Sequence, residues 1–177
     1  MDGPVIEGAG VVLRPWQGDD LAFVFYACQD PLLHRFLPLP KPYRAMDAVG
    51  FFDLAAAERA TGVGEHLAIT ATDTGELLGA IGAKQIGPLG GSSELGYWLA
   101  RDGRGRGAAR AALTALAQWC FVERGLTSVE CLVAETNAAS LAVARAAGFA
   151  EVERRARAAK DGQEMVDAVV LRLGAPM

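Results

Sequence analysis

Arg104-Gly105-Arg106-Gly107-Ala108-Ala109 sets two arginines and two glycines at the start of an alanine-rich run, the residue types that hold a phosphate. The preceding Leu95-Gly96-Tyr97-Trp98-Leu99-Ala100 reads as a strand, and the run from about Gly105 to Glu123 as a long helix. A glycine-rich turn between a strand and a helix N-terminus aims backbone N–H groups without helical partners at one point. The helix dipole adds partial positive charge there, and such a site accepts phosphate or pyrophosphate. Ala109, Ala112, Leu113, Leu116 and Cys120 form the apolar stripe of this helix. Arg106, Arg110, Thr114 and Gln118 recur every four residues on the polar side, which predicts that Arg106 and Arg110 project beside a bound phosphate.

Two other glycine-rich devices fit poorly. A dinucleotide fingerprint needs G-x-G-x-x-G with an acid about 20 residues later, whereas Gly103-Arg104-Gly105-Arg106-Gly107 is followed by Ala108. A nucleotide P-loop needs Gly-Lys followed by Ser or Thr, and neither Gly105 nor Gly107 precedes a lysine. What remains is a pyrophosphate loop flanked by arginines.

The elements that must position this loop follow from periodicity and turn residues. Val11–Arg14 reads as a first strand; Asp19 or Asp20 then caps a helix to about Cys28, which Asp30-Pro31 ends. Pro31 to Pro42 holds four prolines and reads as a structured loop. A helix from about Met46 to Arg59 comes next, then strands at Glu65–Ala71, Leu77–Gln85 and Ser93–Ala100. After the long helix the pattern predicts a strand at Ser128–Ala134, a short helix at Asn137–Ala147 closed by Gly148, and a hairpin of Glu151–Arg157 with Met165–Leu173. The unit from Ser93 to Ala134 is long enough for a right-handed crossover between parallel strands. The expected class is α/β: a mixed, mostly antiparallel central sheet with one parallel pair and helices on both faces, one domain over residues 11–173.

The loop matches the Arg/Gln-x-x-Gly-x-Gly/Ala motif of the GNAT N-acetyltransferase superfamily. Glu94-Leu95-Gly96-Tyr97-Trp98-Leu99 is similar to the branch that acetylates N-termini of ribosomal proteins, the Rim type, and Asn137-Ala138-Ala139-Ser140 with Gly148-Phe149 resembles that branch's Asn-x-x-Ser…Gly-Phe motif. The element order agrees over nearly the whole chain. The resemblance implies a GNAT fold in which the parallel strand pair splays, and acetyl-coenzyme A as the acetyl donor. The backbone from Arg104 through Ala109 would hold the pyrophosphate, and pantetheine would insert between the splayed strands. Backbone groups around Trp98, Leu99 and Ala100 would lie at the thioester, one N–H polarising its carbonyl as an oxyanion hole does. Asn137 and Ser140 would touch the pantetheine from the other wall.

Acyl transfer to nitrogen needs a neutral amine. At pH 7 the deprotonation deficit is about 1.2 kcal/mol for an α-amine and about 4.6 kcal/mol for a lysine. Glu94 is the candidate base: alternation puts it on the strand face of Gly96 and Trp98, and the resemblance assigns an acid at this position that role. Its rival reading is a surface glutamate, and Glu135 is the reserve carboxylate. Many family members place a tyrosine in the helix after the Asn motif to protonate the leaving thiolate. This chain has Ala144 there, which leaves Ser140 as the proton donor or as a pantetheine contact only.

Other residues carry plainer readings. Tyr97 should face away from Glu94, into the core. His34 and His66 read as structural, with His34 a possible lining of the acceptor cleft. Trp16 and Trp119 belong to the core, and Trp98 could wall the cleft. Arg154, Arg155 and Arg157 read as a solvated face that could reach a 3′-phosphate. Cys28, Cys120 and Cys131 lack metal-ligand spacing and read as buried thiols in a reducing cytoplasm. A net charge of −4 argues against a nucleic-acid partner and fits a basic acceptor. No long apolar run or leader pattern is visible, so a cytoplasmic protein without a membrane segment, monomer or homodimer, is expected.

The expected activity is acetyl transfer from acetyl-coenzyme A to a primary amine, on a protein N-terminus or a small molecule, by direct attack in a ternary complex without metal. Acceptor determinants are expected in Pro31 to Pro42 and Arg157 to Gln163. A non-catalytic acyl-coenzyme A sensor on the same fold and a nicotinamide- or nucleotide-binding domain stand as alternatives.

Overall fold

In the computed structural model, which describes residues 3–176, the chain starts with a short hairpin of β1 (Ile6–Gly8) and β2 (Val11–Pro15). β1 lies outside the strands expected from the sequence: three residues are too few to show a period of two. After a 3-10 turn at Gly18–Asp20 come α1 (Leu21–Ala27), α2 (Pro31–Phe36) and α3 (Ala45–Thr61). The antiparallel meander of β3 (Glu65–Ala71), β4 (Leu77–Lys84) and β5 (Ser92–Leu99) leads through a second 3-10 turn to α4 (Ala108–Glu123). β6 (Ser128–Ala134), α5 (Ala138–Ala146) and the hairpin β7 (Ala150–Asp161) with β8 (Glu164–Gly174) complete the chain.

Two expectations need correction. The segment Pro31 to Pro42 opens as a helix. Asp30 caps α2 by accepting from the Leu32 N–H at 2.8 Å, and Pro31 occupies the first helical position. Proline is favoured there because its missing N–H would have no partner anyway, so a residue read as a breaker is an initiator. The long helix begins at Ala108 and not at Gly105, because Gly105 (φ +72°) and Gly107 (φ +77°) are both left-handed and cannot continue a right-handed helix. Arg106 therefore lies outside the helix, and the arginine stripe loses its first member.

The eight strands form one sheet in the order β1-β2-β3-β4-β5-β6-β8-β7, with β5–β6 the parallel pair among antiparallel neighbours. Helices cover both faces. α4 and α5 pack on one through Ala112, Leu113, Leu116 and Leu141 against Leu95, Val129 and Leu171. α1 and α3 pack on the other through Val24, Ala48 and Ala55 with Trp16, Ala68 and Ala80. Leu113 and Leu116 are fully buried, while alanines at 108, 109 and 112 let the α4 backbone approach the sheet that carries the loop. Leu113→Ala is expected to lower the unfolding free energy by about 2–5 kcal/mol in urea titration, since it opens a cavity between α4 and the sheet.

Candidate active site

The parallel pairing of β5 with β6 stops early. Ser92, Ser93 and Glu94 pair with Ser128, Val129 and Glu130, and the strands separate beyond. β4 stays paired with β5 as far as Leu99, and β8 with β6 as far as Ala134. The sheet is thus split between two well-supported strands.

The backbone orientation along the split follows from the β4–β5 ladder. Ala100 N–H donates to Leu78 O at 2.9 Å, and the same register sets Trp98 opposite Ala80. Bonded and non-bonded pairs alternate in an antiparallel ladder, so Gly96, Trp98 and Ala100 turn their polar groups toward β4, while Leu95, Tyr97 and Leu99 turn theirs toward β6. This corrects the expected donors. Ala100 is occupied on both sides, its carbonyl accepting from Gly103 N–H at 2.9 Å, and the Trp98 N–H points into the ladder. The N–H groups facing the split are those of Tyr97 and Leu99.

The split opens toward the glycine-rich turn. The first helical bond of α4 runs from Ala111 N–H to Gly107 O at 3.1 Å. The N–H groups of Ala108, Ala109 and Arg110 are therefore the terminal donors that a helix cannot satisfy internally, and no side chain caps Gly107. Among the described residues no backbone acceptor is assigned to Gly105, Arg106 or Gly107 N–H either, whereas Arg104 N–H sits 3.4 Å from Arg101 O. A Cβ built on Gly105 or Gly107 meets nothing within 4 Å, so these glycines are required by their positive φ and not by crowding.

Of the two arginines expected beside a phosphate, Arg110 is exposed on the first turn of α4, whereas Arg106 is drawn away. Arg106 pairs with Glu76 at 3.0 Å on the surface. Arg104 turns back: its guanidinium donates to Leu99 O at 2.9 and 3.2 Å and meets Asp30 at 2.7 Å. Burial pushes the Asp30 carboxyl upward, but the Leu32 N–H and the Arg104 and Arg101 charges outweigh it and hold it below its ordinary value. Arg104 thus joins the residue whose N–H faces the split to the cap of α2. A cavity of about 260 Å³ lies beside this pair, lined by Ala27, Gln29, Asp30, Pro31 and Arg101. Arg104→Met should cost about 1.5–3 kcal/mol of stability in urea titration, because it strands a carboxylate that is mostly buried. Asp30→Asn should cost less, since its amide oxygen still caps α2.

Glu94 and Ser140 lie on opposite faces of the sheet. Glu94 shares its face with Trp98, which stacks on Phe23 of α1 with ring centroids 6.1 Å apart. Half-buried, Glu94 makes no hydrogen bond or ion pair among the described residues. Its partner in register across the parallel pair, Glu130, is held by Arg172 at 2.7 Å. On the other face Asn137 caps α5, its Oδ1 accepting from Ser140 N–H at 3.1 Å. That leaves the Asn137 amide NH₂ and the Ser140 hydroxyl for other partners. Ser140 Oγ lies 2.8 Å from the hydroxyl of Tyr97, which crosses from β5. Tyr97 packs against the core as expected, but its hydroxyl reaches a site residue that strand alternation could not reveal. Ala144 is buried and brings no hydroxyl.

The remaining candidates resolve simply. Glu135 pairs with Arg154 at 3.5 Å, and His66 with Glu58 at 2.7 Å. Arg154 and Arg155 are also held by Glu151 and Glu153, on a strand three spacings from β5, on the order of 14 Å. His34 lies on α2 with its Nδ1 buried and without a partner among the described residues. Burial raises the Cys131 thiol to about 12, Cys120 to about 12 and Cys28 to about 11, so none supplies a thiolate at neutral pH. Among the described residues no cluster of His, Cys, Asp and Glu could hold a metal ion, and no helix is long and apolar enough to cross a membrane.

The two segments expected to contact an acceptor are tied together. Arg35 meets Asp161 at 2.5 Å, Gly162 N–H donates to Arg35 O at 2.8 Å, and Lys160 Nζ donates to His34 O and Leu37 O at 2.7 and 2.9 Å. α2 thus bridges from Arg104, beyond β5, to the tip of the β7–β8 hairpin. The Arg35 and Thr136 side chains hold the Asp161 carboxyl down to about 2.

The likenesses to known proteins agree with this geometry. A family model described as an acetyltransferase (GNAT) domain matches residues 11–150. No curated protein matches the chain in sequence. Among solved structures, RimJ of Mycobacterium smegmatis in complex with a CoA disulfide is 23% identical, with a TM-score of 0.85 over 97% of this chain and 86% of that one. RimL, a ribosomal L7/L12 α-N-protein acetyltransferase solved with coenzyme A, is 18% identical, with a TM-score of 0.88 over 97% of this chain and 98% of that one. The microcin C7 self-immunity acetyltransferase MccE, solved with acetyl-CoA and AMP, is 15% identical, with a TM-score of 0.85 over 94% and 93%. At such identities the likeness is one of fold, and it extends over nearly the whole chain. With the family match spanning most of the sequence, the split sheet and its glycine turn place this chain in the GNAT acetyltransferase family.

Proposed function

We propose that this protein moves an acetyl group from acetyl-coenzyme A to a primary amine by direct attack. The observation that carries the reading is the split between β5 and β6 ending on a turn whose amides, Gly105 to Ala109, have no backbone partner among the described residues. An extended thioester with a diphosphate at one end matches that shape and polarity. The donors fit a pyrophosphate because several N–H groups converge at a helix N-terminus. The split fits a pantetheine arm because both walls are supported on their outer sides and one offers the Tyr97 and Leu99 N–H groups.

In this mechanism the backbone of Gly105 to Ala109 holds the diphosphate, with Arg104 bracing the loop from behind. The Leu99 or Tyr97 N–H stabilises the charge that develops on the carbonyl oxygen. Glu94 takes the proton of the attacking amine, directly or through a water. Ser140 serves the departing sulfur from the opposite face, and Asn137 fixes Ser140 by capping its helix. The amine acts on one side of the reacting carbon and the thiolate leaves on the other, which the placement of Glu94 and Ser140 on two sheet faces supports. Buried, inert thiols favour direct transfer over a covalent cysteine intermediate. Residues 31–42 and 157–163, joined across the sheet, would select the acceptor, an N-terminal or small-molecule amine.

The test is release of free thiol from acetyl-coenzyme A against a panel of peptides, polyamines, amino acids and aminoglycosides. Amine-dependent release from at least one class is expected. Tight coenzyme binding with no turnover on any amine would instead favour a sensor.

A further inference from the structure

Tyr97 is positioned to do more than fill the core. Its hydroxyl makes the one side-chain hydrogen bond that joins β5 to α5 across the split, among the described residues. Its ring is partly buried and packs against the core, and Ser140 is the one hydrogen-bond partner of its hydroxyl among the described residues. A buried phenol O–H is rarely left without an acceptor. Ser140 is held at the other end, its backbone N–H fixed by Asn137 and its side chain only partly buried. A serine hydroxyl has one proton and two acceptor lone pairs. If the phenol donates to Ser140 Oγ, the serine proton must point elsewhere, and the partly exposed side chain leaves it free to face a thioester bound in the split.

We propose that Tyr97 is a positioning residue for the leaving group: it donates to Ser140 Oγ and so aims the serine proton at the sulfur departing from acetyl-coenzyme A. This rests on the acetyl-transfer reading above. The C–N bond forms as the C–S bond breaks. The amine proton passes to Glu94, and the sulfur takes the electron pair of the broken bond and leaves as a thiolate hydrogen-bonded by Ser140. Tyr97 and Ser140 keep their own protons, and solvent later protonates the thiolate. Burial raises the Tyr97 phenol above its ordinary value, against a smaller opposing effect of the Ser140 bond, so it stays a donor throughout the neutral range. The hydroxyl comes from β5 in a chain whose α5 carries Ala144, buried and without a polar group.

The test is a double-mutant cycle of Tyr97→Phe and Ser140→Ala, with thiol release giving kcat and calorimetry giving coenzyme A affinity. Tyr97→Phe keeps the ring, and Ser140→Ala changes a partly exposed side chain, so the cycle can be closed from either side. Tyr97→Phe should lower kcat about tenfold, the worth of one well-placed hydrogen bond, with affinity within about twofold. The double variant should match Ser140→Ala alone, because Tyr97 acts only through it. In a Ser140→Thr background, which keeps a hydroxyl, Tyr97→Phe should again show its penalty. Losses that multiply, an unchanged kcat in Tyr97→Phe, or a loss confined to affinity would overturn the proposal. Wild-type protein that releases no thiol with any amine would remove the acetyl-transfer reading and this inference with it. A wild type that turns over, with the wrong cycle, removes this inference only.

Discussion

Gly107→Glu is expected to weaken coenzyme A binding about 100-fold by calorimetry. Gly107 precedes α4 with φ +77°, among the amides proposed to hold the diphosphate. A side chain in the left-handed region costs about 1–2 kcal/mol, and relieving that strain turns the neighbouring N–H groups away from their common focus. The added carboxylate contributes repulsion of about 1 kcal/mol per phosphate charge at this exposed position. Together these approach 3 kcal/mol, or two decades in affinity. The new Cβ meets no atom within 4 Å, so charge and backbone strain, and not crowding, produce the loss. Gly107→Ala isolates the strain and should cost about tenfold. Wild-type affinity in Gly107→Glu would remove the assignment of this turn to the diphosphate.

Glu94→Gln is expected to lower kcat by about 10²–10³ at pH 7 while leaving coenzyme A affinity unchanged, the range of a positioned general base. Glu94 stands on the sheet face opposite Ser140, without a hydrogen-bond or ion-pair partner among the described residues, so the amide substitution disrupts no bond seen there. The defect should shrink as the pH rises toward the amine's own pKa, because solvent then supplies the neutral nucleophile. The narrowing should begin near pH 8 for an α-amine and only near pH 10 for a lysine-like amine. A variant that keeps wild-type turnover at pH 7 would strip Glu94 of this role and turn attention to residues on α2, where His34 lies. The same variant separates enzyme from sensor: a sensor has no turnover to lose.

The order of strands and helices was legible because each rests on a local signal. Ser128–Ala134 alternates cleanly and is the observed β6. Asn137, read as the first residue of a short helix, stands one position before it as its cap, and Gly148 takes the left-handed turn expected after α5. Errors arose where one residue type serves two purposes. Pro31 reads as a breaker yet initiates α2, and Gly105 reads as a helix start yet is left-handed. Asp30 before Pro31 carried the correct signal, a cap followed by a favoured first residue. β1 carried too little pattern to be seen.

The site divides along the same line. That a glycine turn between strand and helix would leave amides open is a property of a few consecutive residues, and the sequence alone determined it from Arg104 to Ala109, of which only the Arg104 N–H proves to be taken up, along with the face of β5 on which Glu94 stands. Where the sheet divides, which β5 amides face the gap, and that Arg104 turns back to Asp30 while Tyr97 reaches Ser140 were decided only by tertiary structure. Those contacts join residues far apart in the chain. No periodicity encodes them, because they depend on how strands and helices already formed are packed against one another.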